Sequence, residues 1–175
     1  MATESIFERF VQEKKSQTLT EPIDFDEQKA IWLGKLRELY GHVSSWLEPF
    51  PDIKIEEKPK QISEEALGTY QAPALFLTIG SDLIQFDPIA TFLFGARGRV
   101  DITGPKGVSR LLLVPKNAVG ITVKIRGVNE PKEDTKKIPT VSEWVWKLAS
   151  PPPTVQYIEL SKEMFFDIIM SLVNG

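Results

Sequence analysis

Residues 91–104 of the chain read TFLFGARGRVDITG, and this stretch decides the fold that we expect. Apolar residues occupy every second position, as in a strand with one buried face. The predicted core face carries Phe92, Phe94, Ala96, Gly98, Val100 and Ile102. The opposite face carries Thr91, Leu93, Gly95, Arg97, Arg99, Asp101 and Thr103. Because the core face shrinks to Ala96 and Gly98 in its middle, Gly98 indicates either a β-bulge or a bulky side chain, such as a tryptophan, packed above it.

The segments before and after this stretch also have a period of two. Upstream, ALFLTI (74–79) and LIQFD (83–87) flank Gly80–Ser81, a two-residue loop that begins with glycine and is typical of a β-hairpin. Downstream, VSRLLLV (108–114) and VGITVKIR (119–126) follow the turn-like sequences GPKG and PKNA. Further strands are predicted at IKIEE (53–57) and KQIS (60–63), separated by a turn at Lys58–Pro59, and at SEWVWKL (142–148) and VQYI (155–158). The pattern is that of an antiparallel meander of about six to eight strands.

Helical spacing of apolar residues occurs towards the two ends of the chain. Residues 4–15 predict a short helix, and residues 24–47 predict a long one that begins at Asp24, with Glu27 three residues further on as in a capping box. A closing helix follows Ser161. Its polar residues form one narrow stripe, and apolar side chains cover the rest of its circumference. A helix this apolar is buried on most sides, either within its own chain or at an interface.

The order of these elements predicts an α+β fold in a single domain, residues 1–175. A helical N-terminal part (1–50) precedes a central antiparallel sheet (51–160), and a C-terminal helix (161–175) packs on that sheet. A chain of 175 residues is long enough to bury a core without disulfides or metals.

The composition restricts the chemistry that the protein can perform. The chain has no cysteine and one histidine, His42, which removes disulfides, thiolate nucleophiles and the usual zinc ligands. The N-terminal residues lack the apolar core of a signal peptide, and no run approaches the ~18 apolar residues of a membrane span. We therefore expect a soluble cytoplasmic protein with no cofactor, no metal and no membrane partner.

Positive charge is concentrated around the opening stretch. The net charge of the chain is −3, yet residues 95–128 contain seven basic residues and one acidic residue. If the strands of this region are neighbours, their outward side chains form a basic sheet face made of Arg97, Arg99, Asp101, Arg110, Lys124 and Arg126. Such a face either binds an anionic ligand or nucleic acid, or is a solvated surface whose arginines pair with Asp101. Nucleic acid is disfavoured, because the phenylalanines that would stack on bases alternate onto the core face.

The sequence shows no recognisable catalytic constellation. GARG (95–98) and GPKG (104–107) lack the spacing of a phosphate-binding loop. A metal-dependent hydrolase or nuclease would use Asp101 with Lys116, but position 114 is valine where a second acid is needed. His42 lies alone on the long helix, and no serine elbow accompanies it. We expect no catalytic residue and no metal ligand.

Trp144 and Trp146 are the remaining candidates for a site. They alternate with Val145 and therefore face the same way. Two tryptophans on one face of a strand either belong to the core, which we favour, or form an aromatic anchor at a protein interface, where tryptophan is enriched.

Four segments together resemble a family of small, uncharacterised bacterial proteins: GARGRVDITGPKG (95–107), the WL that closes the long helix (46–47), LGTY (67–70) and LSKEMFFDII (160–169). The resemblance covers most of the chain and implies no activity. From the residues, the leading hypothesis is a non-enzymatic protein-binding or accessory module whose partner is another protein or a second copy of the chain. The alternatives are binding of an anionic ligand or nucleic acid on the basic face, and a metal-dependent hydrolase or nuclease.

Overall fold

The computed structural model of the chain describes residues 5–12, 24–91, 96–122 and 143–175. Its helices are α1 (5–12), α2 (Phe25–Leu47) and α3 (Lys162–Asn174). Its strands are β1 (Lys54–Glu64), β2 (Gly68–Ile79), β3 (Asp82–Ala90), β4 (Arg99–Gly104), β5 (Gly107–Pro115), β6 (Gly120–Thr122), β7 (Trp144–Ala149) and β8 (Thr154–Glu159). The predicted α+β class, with N-terminal helices, an antiparallel sheet and a C-terminal helix, is confirmed.

The eight strands form one sheet in the order β1-β2-β3-β4-β5-β7-β8-β6, with antiparallel pairing throughout. Strands β1 to β5 follow one another as a meander. The β2–β3 hairpin turns at Gly80–Ser81 as predicted, and Gly80 has a φ of 60°, a backbone conformation that glycine adopts without a steric penalty.

Strand β1 corrects one expectation from the sequence. The turn predicted at Lys58–Pro59 is absent, and β1 runs without interruption through Pro59, which lies opposite Pro73 of β2. Proline cannot donate a backbone hydrogen bond, but β1 is an edge strand, so one side of it needs no donor.

The described part of the opening stretch is not one continuous strand, and residues 92–95, with the predicted positions of Phe92 and Phe94, lie outside the described residues. The structure places the start of β4 at Arg99, and from there the predicted alternation holds, with Val100 and Ile102 fully buried. Before it, the amide of Arg97 donates to the carbonyl of Leu113 at 2.8 Å, so residues 96–98 approach β5 outside the regular ladder. Gly98 lies beneath the indole of Trp32, which confirms the prediction that a bulky side chain covers it.

The described part of the segment 119–126 does not neighbour the opening stretch. This part, β6, pairs with β8 at the far edge of the sheet, so β7 and β8 separate it from β5. The condition for one continuous basic face, that these strands are neighbours, is therefore not met by β6. Spacing along the sequence does not set the order of strands in a sheet.

The two long helices begin as their sequences predict. The carboxylate of Asp24 accepts hydrogen bonds from the amides of Asp26 and Glu27, which caps α2. The hydroxyl of Ser161 accepts a hydrogen bond from the amide of Met164 at 3.1 Å, which caps α3. Each contact satisfies backbone donors that have no partner within the first turn of a helix.

Helices α2 and α3 pack on the same face of the sheet and meet at Phe86 of β3. The rings of Tyr40 on α2 and Phe165 on α3 each lie 6.3 Å from the ring of Phe86, measured between centroids. Trp46 of α2 lies 5.4 Å from Phe165, so the two helices also touch each other. This face, with both helices, holds the main hydrophobic core. None of the helices in the described ranges has the length and hydropathy needed to cross a membrane.

Candidate functional site

The charged residues of the opening stretch pair with each other. The guanidinium of Arg99 donates to both carboxylate oxygens of Asp101, with an Nε–Oδ1 distance of 2.8 Å and an Nη2–Oδ2 distance of 2.7 Å. This bidentate contact raises the pKa of Arg99. The two residues are separated by two positions on β4 and so share one face of the sheet, away from the helices.

Asp101 also belongs to a row of charges whose members lie on four of the five strands β1 to β5. In the register of the sheet it lies opposite Asp87 of β3 and Arg110 of β5. The Nε of Arg110 is 3.6 Å from Oδ1 of Asp101, and Lys60 of β1 forms an ion pair with Asp87. The carboxylates of this row therefore each have a basic partner. This pairing is what we expect of a solvated sheet surface rather than of a binding site.

Arg97 does not join this row. Its guanidinium lies over the ring of Trp144, 4.7 Å from the centroid, in a cation–π contact. Lys124 and Arg126, the last two candidates for a basic face, lie outside the described residues. The structure thus brings together Arg99, Asp101 and Arg110 and places Arg97 in a different contact.

Trp144 and Trp146 lie in the core of the chain, with exposed fractions of 6% and 7%. The indole N–H of Trp146 donates to the carbonyl of Lys35 at 3.1 Å, which ties β7 to α2. The ring of Trp146 lies 6.0 Å from that of Trp32. Both tryptophans contribute packing within this chain rather than an exposed anchor.

Lys147 is a buried cation that the sequence did not single out. It is 6% exposed, and its ammonium donates to the carbonyls of Lys116 and Ala118 at 2.7 and 2.8 Å. These contacts fix the turn after β5 against β7. The alternation of β7 places Lys147 on the face opposite to Trp146, where an exposed side chain is expected. The sequence therefore contains no signal that Lys147 is buried.

The residues considered for catalysis have other contacts. Both carboxylate oxygens of Asp101 accept from Arg99, and His42 is exposed on α2, where it stacks on Trp46 at 5.7 Å. Within the ranges that the structure covers, no three His, Asp or Glu side chains converge as a metal site would require.

An apolar groove lies where the end of α2 meets α3. We call it the α2–α3 groove and define it by its lining residues: Leu47, Phe50, Ile53, Phe166, Ile169 and Met170. Its volume is about 340 Å³, and its lining contains no charged residue. Two of the lining residues, Phe50 and Phe166, form an edge-to-face contact at 5.8 Å, while 47% of Phe50 and 54% of Met170 remain exposed.

The groove explains the composition of α3. Its inner side chains Phe165, Ile168, Ile169 and Leu172 are buried against the sheet and α2. Phe166 and Met170 lie on the part of α3 that lines the groove, and Met170 is 54% exposed, so the helix is apolar on more of its surface than its own chain buries. The sequence signal for this groove was the narrow polar stripe of the closing helix.

Helix α1 is the second exposed apolar surface. Its described residues have three large apolar side chains that are mostly exposed, Ile6 at 66%, Phe7 at 64% and Phe10 at 51%. The rings of Phe7 and Phe10 lie 6.1 Å apart, so they form one apolar stripe on the helix.

The chain matches no protein-family model, no curated protein and no solved structure. The resemblance to small bacterial proteins therefore has no support from these comparisons.

Proposed function

We propose that the protein is a non-enzymatic protein-binding module, and that its α2–α3 groove takes the apolar face of an amphipathic helix from a partner. The observation that carries this proposal is the wholly apolar lining of the groove, in which Phe50 and Met170 remain about half exposed. Exposed clusters of large apolar side chains are costly in water unless a partner covers them.

The chemistry of the lining favours a protein segment over a small molecule. A small-molecule site combines apolar walls with a few placed polar groups that orient the ligand. The side chains that line this groove are leucine, isoleucine, methionine and phenylalanine, which offer no such group. A groove of this kind suits apolar side chains spaced at i, i+3 and i+4 on a helix, with the orientation set by the backbone of that helix.

The exposed methionine supports the same proposal. Met170 is 54% exposed at the side of the groove. Methionine has an unbranched, polarizable side chain that adapts its shape to different partners, and it is frequent on protein surfaces that bind helices.

The charged sheet face gives less support to the alternative of anion binding. Arg99 and Arg110 both lie within 4 Å of one carboxylate, Asp101, and Lys60 is paired with Asp87. A phosphate would have to compete with these carboxylates for the same donors. The hydrolase alternative is weakened in the same way, because Asp101 would have to leave Arg99 before it could bind a metal or a water.

A peptide-display selection tests the proposed function. A library of helical peptides of about 15 residues should yield binders whose apolar residues recur at i, i+3 and i+4. Their binding should fall at least tenfold in the Met170→Glu variant. It should be unchanged in Leu83→Glu, a control that places the same charge at an equally exposed apolar residue away from the groove. Selection of no such peptides, or equal loss in both variants, would contradict the proposal.

A further inference from the structure

We propose that the partner helix bound by the α2–α3 groove is basic, and that its lysine or arginine side chains meet an acidic rim around the groove. We define the acidic rim as four exposed carboxylates that flank the lining residues: Glu48, Asp52, Glu163 and Asp167. This inference rests on the proposed function, because it requires the groove to accept a helix. It goes further by naming the charge of the partner.

Helix geometry places two carboxylates of the rim beside the groove. Residues three or four positions apart are neighbours on the surface of a helix. On α3, Glu163 stands three positions before Phe166, and Asp167 stands three positions before Met170. Phe166 and Met170 both line the groove. Two exposed negative charges therefore border the groove on the side formed by α3.

The other side of the groove consists of the end of α2 and the turn that follows it. Leu47, Phe50 and Ile53 line the groove here. Among the exposed residues next to them in sequence, Glu48 and Asp52 are carboxylates. The C-terminus of a helix also has a partial negative charge, which a nearby cation stabilises. The last turn of α2, which lies within the described ranges, contains no basic residue. A basic side chain of a partner would interact favourably with this end of the helix.

The charges of the acidic rim are not neutralised by the described part of the chain. Among the described residues, no ion pair within 4 Å includes any of the four rim carboxylates. Two basic residues stand near the lining in sequence. Lys54 forms an ion pair with Glu56, and Lys162 lies over the ring of Phe166, 5.7 Å from its centroid. The groove thus differs from the sheet face, where each carboxylate of the row has a basic partner.

This charge pattern favours a basic helix over two other occupants. A second copy bound through the same surface would bring one acidic rim against another, and the anionic surface of a membrane would also be repelled. A basic amphipathic helix is attracted by the lining through its apolar stripe and by the rim through its charges. A groove of about 340 Å³ accepts only a few apolar side chains, so charge at its rim adds to the affinity and selects the partner.

Three synthetic peptides test the predicted charge. Each has about 15 residues with leucines at i, i+3, i+4 and i+7, and its other positions are mainly lysine, glutamine or glutamate. By fluorescence anisotropy at low salt, the lysine peptide should bind at least about tenfold more tightly than the glutamine peptide, and the glutamate peptide should bind most weakly. The difference should diminish as salt is added. A lysine peptide with the same composition in scrambled order lacks the apolar stripe and should not bind.

Reversal of the rim charge distinguishes the rim from the net charge of the protein. Glu163→Lys with Asp167→Lys should remove the preference for the lysine peptide and increase the affinity for the glutamate peptide, a gain that unfolding cannot produce. Glu163→Gln with Asp167→Asn should reduce the preference. The matched control is Glu65→Lys with Glu143→Lys, which changes the net charge by the same amount at exposed acids that do not line the groove. This control should retain the preference for the lysine peptide.

The outcomes separate this inference from the proposed function. Equal binding of the three ordered peptides would overturn the basic partner, while the groove would still accept a helix. An equal response of the rim variant and its control, or tight binding of the scrambled peptide, would show that net charge acts instead of the rim and would also overturn the inference. If no peptide binds and the display selection yields no helix, both proposals are wrong.

Discussion

Gly98 and Trp32 are packed so closely that a Cβ atom on residue 98 would lie 2.4 Å from Cζ3 of the indole. Trp32 is 1% exposed and belongs to α2, whereas Gly98 immediately precedes β4. This contact brings the long helix onto the sheet at a position of the opening stretch that has no side chain. The glycine serves close packing between helix and sheet rather than the binding of a phosphate.

Gly98→Ala is expected to destabilise the protein by about 1–3 kcal/mol, because the added methyl group requires a buried indole ring to move in a packed core. Urea denaturation measures the change in the free energy of unfolding. Gly34→Ala is the matched control, since nothing lies within 4 Å of a Cβ there and alanine favours the helix by up to about 1 kcal/mol. An equal effect of both substitutions would contradict the close contact.

The same pair allows a test of coupling. Trp32→Phe leaves a smaller ring above residue 98, so Gly98→Ala should cost less in that background than in the wild type. Two contacting residues typically show a coupling free energy of about 0.5–3 kcal/mol. Additive effects of the two substitutions would mean that the methyl group and the indole do not meet.

Gly104→Ala is expected to loosen α3 from the sheet. A Cβ at residue 104 would lie 2.7 Å from the Cβ of Leu172 and 2.8 Å from its carbonyl oxygen. That carbonyl accepts a hydrogen bond from the amide of Lys106 at 2.9 Å, so displacement of α3 would also break a backbone contact. We expect a loss of about 1–3 kcal/mol and faster amide exchange at Lys106. Gly41→Ala, where a Cβ meets nothing within 4 Å, should show neither effect.

The stability of the protein should fall at alkaline pH because of Tyr40. Burial, with Glu57 and Asp87 nearby, raises the pKa of this phenol well above its ordinary value, and its hydroxyl donates to the carbonyl of Pro73 at 2.8 Å. Above pH ~10 the unfolded chain loses the phenolic proton while the folded chain keeps it, so the free energy of unfolding decreases by up to about 1.4 kcal/mol per pH unit.

Tyr40→Phe provides the comparison. At pH 7 it should cost about 1 kcal/mol through loss of the hydrogen bond, and above pH 10 its stability should decline less steeply than that of the wild type. Denaturation curves measured from pH 7 to 11 compare the two slopes. Parallel slopes would show that Tyr40 ionises equally in both states.

Asp101→Asn is expected to change both stability and anion binding. It removes the charge that Arg99 and Arg110 share, and we expect a loss of about 1 kcal/mol that diminishes with added salt. Binding to heparin at low salt should increase, because the two arginines lose their counter-charge.

Single-stranded DNA tests the alternative function on the same face. By fluorescence anisotropy, the wild type should bind the strand weakly and lose that binding at physiological salt. If the wild type instead binds firmly at that salt, and Arg97→Glu with Arg99→Glu abolishes the binding, the basic face is the functional site.

Much of the fold was predictable because it depends on local patterns. The caps at Asp24 and Ser161, the hairpin at Gly80 and the alternation of Val100 and Ile102 all follow from a few neighbouring residues. The continuous β1 and the position of β6 were missed, since they depend on which strand lies alongside. In the sequence, Pro59 indicates a turn. A proline within a strand is tolerated here because β1 lies at the edge of the sheet.

The candidate site was less predictable than the fold. The pairing of Arg99 with Asp101 follows from two positions on one strand, and the sequence had offered it as one interpretation. The α2–α3 groove requires Phe50, from the segment after α2, to meet Phe166 of α3, more than 100 residues further along the chain. No periodicity within either segment indicates that contact.

The order of strands also determines how long parts of the sheet lack their neighbours while the chain is being synthesised. Strands β1 to β5 emerge from the ribosome first. The edge of β5 stays open until β7, which begins at Trp144, has been synthesised, and β6 has no partner strand until β8 has been synthesised. Helix α3, which covers Phe86, is the last element to appear. At about 5–20 residues per second, the nascent chain leaves an open strand edge and an apolar sheet face unprotected for several seconds. These are the surfaces on which a chaperone acting on this nascent chain would bind.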